Sequence, residues 1–208
     1  MNENEKNIYR QIYILSIFTI VYNLAEGLVS VILGYTDETL SLAGFGIDSF
    51  IEMVSGFGIL MMVLRIRNNP DSPVSSFEVT ALRITGYGFY VLSVGLVAGI
   101  IIALIERHKP VSTLCGTVVA IVSIGVMAWL YLSKRRLGKE LDSQPVLSDA
   151  RCTLVCIYMS VVLLAASGIY ELTGFAYADV LGAAGLGWFS FTEGREAIEK
   201  AARKSYEE

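Results

Sequence analysis

Long apolar runs alternate with short polar interruptions along this chain. The apolar blocks fall at about 8–33, 39–64, 78–104, 111–132, 146–170 and 176–198, and each supplies the roughly 20 residues a helix needs to cross a bilayer with some tilt. Polar punctuation separates them: YTDET, NNPDSP, ERHKP and KRRLGKELDSQP follow the first four blocks. The fifth and sixth are divided only by ELTGFAYAD, which is half apolar. The longest connection is roughly a dozen residues, leaving no stretch for a soluble domain. The pattern predicts an all-α membrane protein, a six-transmembrane-helix bundle forming a single domain over residues 1–208.

Lysine and arginine orient the bundle. With the N-terminus in the cytoplasm, the inner side holds Lys6, Arg10, Arg65, Arg67, Arg83, Lys134, Arg135, Arg136, Lys139, Arg151, Arg195, Lys200, Arg203 and Lys204. The outer side holds only Arg107 and Lys109. Cytoplasmic loops carry the basic excess, so both chain ends are expected in the cytoplasm and the bilayer in the cell's inner or plasma membrane.

Composition narrows the class further. Of 208 residues, 54% are hydrophobic and 17% charged, against about half and a quarter in a soluble domain. The start, MNENEKNIYRQ, is polar and mixed in sign, and the apolar run behind it is too long for a signal peptide. The net charge of −4 comes without a large basic block, which argues against nucleic acid as a partner. Cys115, Cys152 and Cys156 are an odd, sparse set inside apolar helices, not a disulfide framework. No prosthetic group and no enzymatic activity are expected.

The informative residues are ionisable groups inside the apolar blocks. A carboxylate at the centre of a membrane helix costs roughly 2.5–3.5 kcal/mol on insertion scales, so it faces a partner or a cavity. Asp48 and Glu52 stand four apart, on one helix face. Two acids so placed ask for a metal ion or a shared proton. Cys152 and Cys156 repeat the spacing on the fifth helix. The two pairs supply two oxygen and two sulfur donors, a set that suits four-coordinate zinc and other soft or borderline ions. Two small buried residues in helix packing are the plainer account of the cysteines. Asn23, Glu26 and Asp149 are candidates to support such a site or relay a proton, although interhelical hydrogen bonding accounts for Asn23 equally well. Asp179 and Glu193 lie near opposite ends of the sixth block, Cys115 is assigned to packing, and the single histidine, His108, has no assigned role. Gly44, Gly46, Gly56 and Gly58 on the second helix, and Gly182, Gly185 and Gly187 on the sixth, suit close helix approach.

These residues resemble the cation diffusion facilitator family. GIDSFIE, with Asp48 and Glu52, is similar to the family's second-helix motif, an Asp or His followed four residues later by Asp. SDARCTLVC resembles the fifth-helix motif, in which Asp is followed by His three residues on and by Asp four residues after that. The corresponding positions here are Asp149, Cys152 and Cys156. The run from Tyr177 to Ala201 is similar to the sixth helix, which opens with an Asp and ends in a charged, glycine-containing stretch. The resemblance implies the transmembrane domain of a divalent-cation exporter, working in exchange for protons and paired as a homodimer. The ligands it implies are Asp48, Glu52, Cys152 and Cys156. Two departures stand out: both fifth-helix ligands are Cys, and no room is expected for the family's usual cytoplasmic C-terminal domain.

The expected function is export of zinc, cadmium or cobalt from the cytoplasm by alternating access with proton antiport. A membrane thiol redox enzyme using Cys152 and Cys156 is a second reading. A third is a metal sensor or scaffold that transports nothing, which gives no reason for Asp48 and Glu52. The block boundaries also set the Asp48/Glu52 and Cys152/Cys156 pairs roughly 9 Å apart in depth, at about 1.5 Å of rise per residue.

Overall fold

A computed structural model describes residues 3–68, 76–106, 109–175 and 177–205. His108, Arg107 and much of NNPDSP lie outside them. The described residues form six helices: α1 (Glu3–Thr36), α2 (Leu40–Asn68), α3 (Ser76–Glu106), α4 (Leu114–Glu140), α5 (Gln144–Thr173) and α6 (Ala178–Ser205). Five of them, α1 to α5, are long and apolar enough to cross a membrane. The less apolar α6 carries two ion pairs in its second half, Arg195–Glu199 at 2.8 Å and Lys200–Glu196 at 2.7 Å.

Helix ends differ from the apolar blocks where charge and helix coexist. The fourth block ends near 132, yet α4 runs on to Glu140 through KRRLGKE. Its last turns hold together because Leu137 and Gly138 stay buried, while Arg136 pairs with Glu140 one turn on at 2.9 Å. At the other end of α5, Gly174 adopts φ 66 and returns its N–H to the Tyr170 carbonyl at 2.8 Å, the left-handed cap glycine favours.

The helices associate chiefly as α1 with α2, α3 with α6 and α4 with α5, and α2 touches α1, α3, α5 and α6. Small residues permit this. A methyl group on Gly34 would lie 2.5 Å from the Ala43 amide nitrogen, so α1 and α2 meet almost backbone to backbone there. Two apolar clusters fill the interior. One joins Ile8, Ile12 and Leu15 of α1 to Met62, Met127, Leu130 and Val146. The other joins Leu42 and Phe45 of α2 to Leu92, Leu96, Met159, Leu163 and Leu186. Outward-facing side chains are also apolar, among them Val91, Val94, Ile105, Val118 and Leu132, as a lipid-facing surface requires.

Candidate metal centre

Between the two clusters lies a cavity lined by Asp48, Glu52, Ser55, Thr85, Phe89, Cys152, Val155, Cys156, Met159 and Glu193. Both pairs singled out by their four-residue spacing therefore reach one space from facing helices. Cys156 Sγ lies 3.8 Å from Asp48 Oδ2 and also faces the Glu52 carboxylate. Asp48 is 1% exposed, and its Oδ1 has no hydrogen-bond partner. A buried carboxylate oxygen without a donor is an unmet demand.

The 9 Å offset expected from the sequence is resolved unevenly. Helices tilt and stagger, so depth along one helix is not depth in the bundle. Cys156 is level with the carboxylate pair. Cys152, one turn away, instead faces Glu193 of α6. All three cysteines are free thiols, and these two are directed at different carboxylates. Among the described residues, no three side chains of His, Cys, Asp or Glu stand together closely enough to hold a metal ion as they are. The four candidate ligands share a cavity but are not yet contracted around a point.

The other acids divide sharply. Glu26 accepts from the Tyr22 hydroxyl at 2.7 Å and from Ser49 Oγ at 3.1 Å. It sits beside α2 and does not line the cavity. Asn23 is fully buried, with neither end of its amide hydrogen-bonded. Asp149 forms a buried ion pair with Lys134, Nζ to Oδ2 at 2.9 Å. Lys134 also donates to Thr153 Oγ1 at 3.0 Å. Asp149 thus has a cation of its own, supplied by a stretch that in the sequence reads only as a polar connection.

Ser55 and Thr85 also line the cavity, and so does Glu193, to which the sequence reading gives no role. Its apolar block ends near 198, which puts it close to a membrane edge. The helix runs on to Ser205, and Glu193 is near its middle. The signal that could have found it is the ordinary one, a carboxylate within a membrane helix.

The profile described as the cation efflux transmembrane domain matches residues 14–204 of the chain. No curated protein matches the chain.

Proposed function

The chain belongs to the cation efflux family and is a cation efflux transporter, and on that premise we propose that it moves zinc, cadmium or cobalt through the cavity between α2 and α5. Asp48, Glu52, Cys152 and Cys156 are the proposed ligands. One observation carries the reading: residues 108 apart in sequence, Asp48 and Cys156, approach within 3.8 Å beside an unpaired buried carboxylate oxygen. Oxygen and sulfur donors together favour a borderline ion over magnesium or calcium.

A dehydrated ion must draw the α2 and α5 side chains inward. That contraction is the movement to which alternating access couples, with the paired helices rocking around a buried site. Protons compete for the same thiols and carboxylates, so affinity falls as pH falls. Proton antiport follows if the ion is released on the more acidic side. The proposed arrangement is a homodimer with both chain ends in the cytoplasm, in the inner or plasma membrane.

The test is uptake by vesicles containing the full chain and an entrapped metal-sensitive dye. Zinc, cadmium or cobalt should give a signal, and Asp48→Asn should reduce it by at least about a hundredfold. In detergent, zinc or cadmium should raise the melting temperature, and Asp48→Ala should abolish the shift. A flat trace for zinc, cadmium, cobalt and manganese alike would overturn the proposal.

A further inference from the structure

We infer that Cys152, Glu193 and Thr85 form a separate loading site for the divalent ion, about one helical turn from the group made by Asp48, Glu52 and Cys156. It lies on the side of the bundle where the chain ends are. The inference rests on the transport reading above and adds a second stop within the same cavity.

Three helices build it. Cys152 precedes Cys156 by four residues, about 6 Å along α5, and faces the Glu193 carboxylate. The helices α3 and α6 cross at two glycines. A methyl group on Gly86 would lie 3.0 Å from the Gly194 carbonyl oxygen, and one on Gly194 would lie 3.0 Å from that of Gly86. The residue before each glycine, Thr85 and Glu193, lines the cavity. A helical threonine ordinarily donates to the carbonyl one turn back. Thr85 does not: it is 4% exposed, and its Oγ1 has no hydrogen-bond partner. Its hydroxyl is free to bind a water of an arriving ion or the ion itself. Of the cations that follow Glu193 on α6, Arg195 pairs with Glu199 at 2.8 Å and Lys200 with Glu196 at 2.7 Å.

The chemistry differs from that of the deeper group. Glu193 is only partly buried, so it can meet a cation that still holds most of its water. One thiolate, one carboxylate and one hydroxyl bind a borderline ion more weakly than two carboxylates and a thiolate. A weaker site ahead of a stronger one lets the ion shed water in two steps, and passage through any pore requires binding that also lets go. Cys152 then acts at both stops, first with Glu193 and afterwards with the deeper ligands.

The measurement is the initial rate of Cd2+ uptake into vesicles holding the full chain, across Cd2+ concentrations. Glu193→Gln should lower the rate at low Cd2+ by about tenfold. The deficit should shrink toward saturation, and Glu193→Asp should restore most of it. Thr85→Val should show the same concentration-dependent deficit, which keeps the test available should Glu193→Gln fold poorly. Glu199→Gln, at an exposed ion pair on the same helix, is the control. If Glu193→Gln follows wild type at low Cd2+ while Asp48→Asn is inactive, the loading site is overturned and the deeper site stands. An equal loss at every concentration, not restored by Asp, would also overturn it, since that marks a packing role. Normal transport by Asp48→Asn would remove the shared premise, and the loading site with it.

Discussion

At the loop end of the bundle, Asp179 of α6 commits both carboxylate oxygens to the first residues of α2, whereas Asp48, farther along α2, leaves Oδ1 without any partner. The two acids are almost equally buried, at 5% and 1% exposure, so burial does not distinguish them. Donor supply does. The first amides of a helix have no partner within it, and a carboxylate there also complements the helix dipole. Asp179 accepts from Leu40 N at 2.8 Å, from Ser41 N at 3.0 Å and from the Ser41 hydroxyl. Glu171 of α5 does the same for α4, accepting from Thr113 N at 2.7 Å. Tyr170 donates to the Pro110 carbonyl at 2.5 Å, and Val111 N to that of Asp37 at 2.9 Å, which ties the loops together. In the interior of α2 the backbone donors are consumed by the helix itself. A carboxylate at Asp48 finds only a thiol at 3.8 Å. Asp179 and Glu171 are satisfied by the helix starts they meet, and Glu26 by two hydroxyls, whereas Asp48 is left for something the fold does not contain.

Three stability measurements test that division, each read as loss of unfolding free energy in detergent. The largest effect belongs to Lys134→Met. Lys134 and Asp149 are both buried and form an ion pair at 2.9 Å, so removing one partner strands a charge and should cost about 3–5 kcal/mol. Adding Asp149→Leu should recover much of the loss, because no charge is then stranded. Next comes Asp179→Ala, which uncaps α2 and leaves its buried amides without acceptors. The expected cost is about 2 kcal/mol, and Asp179→Asn should lose less because its amide oxygen still accepts. A negligible effect at Asp179 would show that this end of the bundle is not held by its carboxylate.

The division also marks what the sequence made legible. Helix number and placement follow from bilayer thickness and from the rule that backbone polar groups must pair internally in lipid. The pairs Asp48/Glu52 and Cys152/Cys156 were visible because a spacing of four on a helix fixes a shared face whatever the tertiary packing. Features that depend on tertiary partners were not visible. Asp179 binds amides 138 and 139 residues away. Lys134 sits in a run that reads as a solvated loop, and only the extension of α4 to Glu140 brings it into the interior beside Asp149. Glu193 reads as a membrane-edge residue because its apolar block ends near 198, although the helix continues to Ser205. For Lys134 and Glu193, charge lowers the apparent length of a helix, and an ionic group of the interior reads as loop or membrane edge.

The smallest expected stability effect is the most demanding test of the comparison. Asp48→Asn replaces a carboxylate whose Oδ1 is unpaired with a neutral group of the same shape. Removing an uncompensated buried charge is neutral or favourable, so the variant should match wild type or gain up to about 1 kcal/mol. The same variant is expected to lose transport by at least about a hundredfold. Asp179→Asn should do the reverse, losing stability before it loses binding. Crossing the two measurements matters because either alone has an ordinary explanation: unfolded protein does not transport, and a surface acid costs nothing to remove. An Asp48→Asn variant destabilised as much as Asp179→Ala would mean that Asp48 holds α2 in place through a contact of its own. The centre of α2 would then belong with the loop end, as scaffold.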